Sequence, residues 1–400
     1  RERWFFANGY GGMGSVQEGR QLEVSGRMAM HVDRMRTAVM ENIAGQVAEN
    51  RQRAIVQALA SADRSGIGNE HRRLLNVTGT AHLLAISGLH VGLAAAAGMW
   101  ASRLLLLVLP GRILYRISFP IMVLTGLLCA AFYSALAGFG TPTVRSVLML
   151  ATAMSAVLLS RSIHPFRAWV LSMAIIALVD PFSLLQPGFW YSYLAVASLL
   201  LVFIPRTGNF NFLQSALAGQ GAVIIVLVPV SALVFNSFSG SAFFANLLAI
   251  PWVSLLVVPL VLSGLVVSLF SVAGAGVPWR LAGDASGILF RFLETVDDLQ
   301  GELIILSPPG DLQVLLALLG AFVLLLPRGV PWRWMAVFLL IPLFARPGPR
   351  TGEHVLEIEI LDAGQGTAVV LNAGGRTLLY DTGPGDGEGF DLVNSVIEPA

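Results

Sequence analysis

A succession of long apolar runs, at approximately 82–109, 117–137, 142–160, 166–180, 187–205, 213–235, 241–268, 312–326 and 332–345, constrains this chain more than any other feature. A bilayer-spanning helix needs about twenty consecutive apolar residues, and several of these runs come near that length while others are short. Charged residues make up 12% of the 400 residues and hydrophobic ones 55%, whereas a soluble domain carries about 25% charged residues. The chain therefore reads as a polytopic α-helical membrane bundle. Its net charge of +1 does not announce a nucleic-acid partner. Every basic residue is Arg and none is Lys. The guanidinium fork binds phosphate bidentately, but the bias is read mainly as compositional. The single Cys129 excludes an internal disulfide framework.

Polar segments flank the runs. Residues 1–27 are Gly-rich and polar, with Trp4, Phe5, Phe6 and Tyr10, and read as the tail of a soluble module. From Met28 to about Val47, Val32, Met35, Val39, Ile43 and Val47 recur at helical spacing, predicting an amphipathic helix on a membrane surface or against the bundle. A second, polar helix is expected over Gln52–Ala62. Trp279–Leu299 is amphipathic and carries Asp284, Arg291, Glu294, Asp297 and Asp298, as an interfacial helix or a span lining a wet cavity. Loops holding Arg112, Arg116, Arg161, Arg167 and Arg206 alternate with loops that hold no Arg, and the positive-inside rule places the first set in the cytoplasm. Beyond Pro347, Leu356, Ile358 and Ile360 alternate with Glu357 and Glu359, predicting a strand. Ala368–Leu371 and Thr377–Tyr380 read as two more, joined by a turn at Gly374–Gly375. The chain starts without Met and stops inside this β-rich segment, so it reads as a fragment cut at both ends.

Chemistry concentrates in a few clusters. The stretch Thr78–Gly92, TGTAHLLAISGLHVG, opens an apolar run yet carries His82, Ser87 and His90. Imidazoles in hydrocarbon cost free energy unless partnered. Ser87 and His90 are three apart, which places them on one helix face. Gly88 and Gly92 form a small-xxx-small pattern that lets another helix approach. The polar residues thus pack helices, line a passage, or form a nucleophilic pair for which no orienting carboxylate lies nearby. A second cluster, YSALAGFGTPTVR, holds Tyr133, Pro142 and Arg145. Pro142 is expected to open a helix, with Arg145 in its first turn, either snorkelling to headgroups or binding an anion. Trp190 and Tyr191, in QPGFWYSY, are interfacial belt residues or stacking platforms for bases. Asn246 with Pro251 predicts an unwound helix.

In this order, TGTAHLLAISGLHVG, YSALAGFGTPTVRSVLM, DPFSLLQPGFWYSYLAV and NLLAIPWVSLLVVPL resemble blocks of the ComEC competence-protein family, from about residue 50 to the end. The resemblance implies three parts. The end of an OB-like module occupies residues 1–27 and amphipathic and linker helices 28–81. A transmembrane competence domain covers 82–346, and the start of a metallo-β-lactamase-like αββα domain covers 353–400. Within the last, Asp362, Gly364, Gly366 and Asp381 match the family motif, while Thr367 replaces the commoner Asp. No His-x-His-x-Asp-His run occurs, and the remaining histidines lack ligand spacing. The expectation is no metal in this chain, and a divalent ion, zinc or manganese, in the complete domain.

The resemblance further implies an inner-membrane channel taking up single-stranded DNA during natural transformation, with its soluble modules on the extracytoplasmic face. DNA, membrane lipids, other competence-machinery proteins and a second copy of the chain are its expected partners. The path residues are expected to be His82, Ser87, His90, Tyr133, Arg145, Trp190 and Tyr191. An intramembrane serine hydrolase using Ser87 and His90, and a competence-like protein without DNA transport, stand as alternatives.

Overall fold

The computed structural model describes residues 28–107, 111–158, 164–204, 211–300, 303–305, 309–327, 329–345, 356–360, 367–373 and 376–382. Residues 1–27, and with them the expected OB-like tail, lie outside this set, as do Asp362, Gly364 and Gly366. The chain divides into two compact units, Arg1–Val223 with Ser241–Glu302, and Ile224–Gly240 with Leu303–Ala400.

The first unit is helical. It begins with α1 (Met28–Gln46), α2 (Asn50–Ser61) and α3 (Asn69–Val77). The next helices are α4 (Gly88–Leu106), α5 (Gly111–Leu136), α6 (Thr141–Leu158), α7 (Pro165–Val179) and α8 (Pro187–Phe203). Helix α9 (Phe212–Phe235) follows, belonging to this unit only as far as Val223, then α10 (Ala242–Trp252), α11 (Val258–Ser268) and α12 (Gly276–Gln300). Five helical segments are long and apolar enough to cross a membrane: Gly88–Leu106, Ser118–Leu136, Thr141–Leu158, Leu213–Phe235 and Ala242–Ser268. Large apolar side chains point outward from the helices; Leu105 is 76% exposed and Leu178 83%. In water such a surface would aggregate; against lipid it is the stable arrangement.

Several sequence expectations are corrected. The first apolar run does not begin as one helix at residue 82. Ala81–Leu84 forms a 3-10 turn, and α4 starts only at Gly88 with Ser87 as its N-cap. The expected polar helix near 52–62 is deeply buried. Val56, Ala58, Leu59 and Ala60 sit in the core, while Arg51 pairs with Glu294 of α12 at 2.6 Å. Helix α3 was not anticipated. Asn246 lies in intact helix, not in an unwound segment. The irregularity comes later, where Val253–Val257 forms a π turn between α10 and α11. Pro251 has no N–H to donate and its ring crowds the preceding turn, so the helix slips register just beyond it.

The core of this unit gathers α2, α4, α11 and α12 around Trp279, Phe290 and Leu293. Helix α12 is therefore a packed amphipathic helix, buried along one side. Trp279 lies across Gly264 of α11, where a Cβ would stand 2.7 Å from the indole, and its Nε1 donates to Asn42 Oδ1 of α1 at 2.9 Å. The tightest helix pair is α4 against α5. A Cβ on Gly98 would meet Cys129 Sγ at 2.6 Å, and one on Gly126 would meet Met99 Cγ at 2.6 Å. Of the expected Gly88 and Gly92 pair, only Gly88 makes a close approach. A Cβ on Gly92 would meet nothing within 4 Å among the described residues.

The second unit pairs β1 (Ser237–Ser239) with β2 (Leu303–Ile305), antiparallel, and adds α13 (Asp311–Leu325). Residues 332–345 are not a continuous span but two 3-10 segments, Arg333–Leu339 and Ile341–Phe344, the second opened by Pro342. The three expected C-terminal strands form an antiparallel sheet, β3 (Leu356–Ile360), β4 (Ala368–Ala373) and β5 (Arg376–Thr382), in the order β3-β4-β5.

Candidate functional site

The polar cluster starts where α3 ends. Thr78 and Thr80 are fully buried. Thr78 Oγ1 donates to Leu74 O at 2.7 Å, and lies 2.8 Å from Thr80 Oγ1. A hydroxyl has one proton, so Thr80 is the donor in the second bond. Gly79 between them takes φ 65°, a left-handed conformation that glycine adopts without steric cost. The start of α10 clasps this turn from outside: Ser241 Oγ donates to Val77 O at 3.3 Å and Asn246 Nδ2 to Gly79 O at 3.2 Å. Thus the amides of the turn bond to the last carbonyls of α3, and two of its carbonyls are held by side chains from more than 160 residues away.

The chain next carries His82 outward on the 3-10 turn, exposed. Leu83, Leu84 and Ile86 beside it are buried, and α4 opens at Ser87. The Ser87 N–H donates to His90 Nδ1 at 3.3 Å, and His90 is 1% exposed. His90 thereby fills the third position of a capping box, a place usually taken by Glu or Gln. Its Nδ1 accepts a bond and carries no proton. Ser87 and His90 therefore cooperate in starting α4, and Nδ1 is not held by the carboxylate that would orient the base of a nucleophilic pair.

Gly88 brings this helix start onto α6. A Cβ there would stand 3.1 Å from Ser146 Oγ, which donates to Pro142 O at 2.7 Å. The next residue back is Arg145, 4% exposed, with Nε buried and unpartnered. Arg145 does not snorkel; it faces inward, beside Gly188 of α8. On α8, Trp190 is 44% exposed and its Nε1 donates to Leu184 O at 2.9 Å, while Tyr191 is half-buried. Phe189 and Tyr193 of the same helix are buried against α7, where Trp169 Nε1 donates to Tyr193 O at 3.1 Å.

The helix starts of α4, α6 and α8 thus draw Ser87, His90, Ser146 and Arg145 into one neighbourhood. Tyr133 is elsewhere occupied: 2% exposed, it donates to Leu59 O of α2 at 2.6 Å. Asp381 lies exposed in β5 of the other unit, with φ 57°. Sequence reasoning missed Ser146, Gly188 and Ser241. Ser146 and Gly188 sat inside quoted motifs, beside Arg145 and Phe189, and only their approach to other helices sets them apart. Among the described residues no three His, Cys, Asp or Glu side chains converge as a metal site.

The sequence model described as Competence protein matches residues 59–331. The chain is 32% identical to the uncharacterized protein YcaI of Escherichia coli (strain K12), over 82% of this chain and 44% of that protein. It is 32% identical to competence protein ComA of Neisseria gonorrhoeae, over 96% of this chain and 54% of that protein. It is 26% identical to recombination protein 2 of Haemophilus influenzae, over 96% and 52% respectively. The chain spans about half the length of the curated relatives it matches. No solved structure matches it.

Proposed function

This chain belongs to the Competence protein family, and from that membership we propose that it serves DNA uptake in transformation, passing one strand through the interior of its helical bundle. The observation that carries this reading is an inversion of polarity. Apolar side chains cover the outside of the helices, while His90, Arg145, Ser146 and Asn246 are drawn inside. Charged and polar groups within a membrane protein mark substrate pathways. A conducting path must bind its cargo weakly enough to release it. One arginine, a few hydroxyls and imidazoles, and the exposed face of Trp190 suit a moving polyanion better than a dense basic patch. The names of two relatives, a competence protein and a recombination protein, agree with handling of DNA.

On this reading the Arg-bearing starts of α5 and α7 face the cytoplasm and the β-rich segment after Pro347 lies on the outer face, at the entry side. Other competence proteins deliver the DNA, and the unused strand is left outside. The intramembrane hydrolase alternative loses ground to the bond between the Ser87 amide and His90, which already explains that pair.

The test is complementation. The full-length protein is produced in a transformable host lacking its own competence-family protein, and labelled DNA protected from external nuclease is measured. Restored protection is expected. No protected DNA, with the protein present in the membrane in normal amount, would overturn the reading.

A further inference from the structure

Among the described residues Arg145 is the one arginine that is buried, at 4% exposure. Its Nε is enclosed without an acceptor, and neither of the two ion pairs among the described residues includes it. Asp180, just before the 3-10 segment Pro181–Leu185 that leads into α8, is in neither pair as well. A buried charge left uncompensated costs several kcal/mol, and the surroundings add to that cost. Arg145 is the fifth residue of α6, close to the positive end of the helix dipole. Its other neighbour is also a helix start. A Cβ on Gly188, the second residue of α8, would stand 3.5 Å from Arg145 Nη2. Two positive helix ends and a guanidinium therefore converge. Gly188 is itself exposed, so the Nη2 edge lies beneath backbone that reaches the surface.

Such an arrangement favours an anion. We propose that Arg145 and the N-terminus of α8 together form a binding site for a phosphodiester oxyanion, and that this anion is the backbone of the single strand in transit. The proposal rests on the DNA-uptake reading and assigns it a specific contact. The chemistry fits a phosphodiester. The guanidinium presents parallel N–H groups matched to two phosphate oxygens, and a helix N-terminus offers N–H donors and a favourable dipole. The missing Cβ of Gly188 leaves room for the oxygens. A single negative charge suffices to neutralise Arg145, so each phosphate binds by one fork and can be handed on. A phospholipid headgroup carries the same group, but Arg145 points between α6 and α8 and not along the lipid-facing side.

The experiment uses the full-length protein in bilayer discs of zwitterionic lipid. Binding of a short fluorescent oligothymidylate is compared with that of its uncharged methylphosphonate analogue. The Arg145→Met variant is expected to bind the charged strand about ten- to hundredfold more weakly, with binding of the analogue unchanged. Its melting midpoint is expected to stay level or rise, because removing an unpaired buried charge relieves the fold. Arg145→Lys, which keeps the charge and loses the fork, is expected to recover only part of the affinity. If the unaltered protein binds no oligothymidylate, the uptake reading itself fails. If Arg145→Met binds the strand as well as the unaltered protein, the site fails while the uptake reading stands. A fall in melting midpoint matched by equal loss of both ligands assigns Arg145 a structural role and overturns the proposal. So does loss of co-purified phospholipid with strand binding intact, which assigns the site to lipid.

Discussion

The turn at Thr78–Thr80 and the start of α6 near Arg145 both bury polar groups inside an apolar bundle, but they are finished differently. Around the turn, the hydroxyls of Thr78 and Thr80, the carbonyls of Val77 and Gly79, and the side chains of Ser241 and Asn246 are joined in hydrogen bonds, and only the neutral Asn246 Oδ1 is left without a partner. At Arg145, Nε is buried with no acceptor. A buried polar group costs little once bonded and much when it is not. The first region therefore reads as structure, a clasp that fixes where α4 begins. The second reads as a place kept for something that arrives. The same motif-rich surroundings in sequence conceal two different uses.

The contrast can be broken most readily at Gly79. Gly79→Val forces a β-branched residue into a left-handed conformation, at a cost on the order of 3 kcal/mol. It also disturbs the carbonyl that Asn246 holds. The protein's melting midpoint in detergent should fall by several degrees, and helix α4 should become more sensitive to proteolysis at its start. An unchanged midpoint would mean the clasp is not structural.

Tyr133 sharpens the contrast from the other side. It was expected on the strand's path, yet its hydroxyl is spent on Leu59 O. Tyr133→Phe leaves that carbonyl unpaired and should cost about 1–2 kcal/mol in stability. Oligonucleotide affinity, corrected for folded fraction, should not change. A loss of affinity without loss of stability would return Tyr133 to the path.

Glycines repeat the lesson at smaller scale. Gly92→Ala places its methyl in open space and gains roughly 0.5–1 kcal/mol from reduced chain entropy. Gly98→Ala drives a methyl onto Cys129 and should destabilise by about 1–3 kcal/mol. Opposite signs in detergent melting are the expected result.

The smallest effect is electrostatic. The Ser65 N–H, at 2.9 Å from Oδ1, holds the Asp63 carboxyl below its usual range, so folding is stabilised by the carboxylate form. That contribution is complete above the ordinary carboxylate pKa and is lost as pH falls through the lowered one, below about pH 4. Asp63→Ala should lower the melting midpoint slightly at neutral pH, where that contribution is present, and leave it unchanged well below pH 4, so that the acid side of the profile flattens.

Much of this was legible in the chain. Apolar length announces membrane helices because nothing else accommodates so much uncharged surface. Alternation at Leu356–Ile360 and the Gly374–Gly375 pair announce a hairpin because strands alternate and turns need glycine. What escaped reading depends on contacts distant in sequence. Helix α2 looks polar because Arg51, Gln52 and Arg53 dominate its first turn, yet its apolar side is wrapped by α12. The β1–β2 pairing joins strands more than sixty residues apart. At the site, the Ser87–His90 spacing was visible, but it signals a helix cap as well as a shared face. Only the arrival of α6 and α8 beside each other separates Arg145, which lacks an acceptor, from an arginine at a membrane interface.

The central claim is that a DNA strand runs past the helix starts of α4, α6 and α8. It is tested most directly by arresting a strand in transit with a bulky terminal block and photo-crosslinking it to the protein. The crosslinker is introduced as His82→benzoylphenylalanine or Trp190→benzoylphenylalanine, with Leu178→benzoylphenylalanine as the outward-facing control. The account predicts strand adducts from positions 82 and 190 and none from 178. Adducts from 178 alone, or none at 82 and 190 while the arrested strand remains bound, would contradict it.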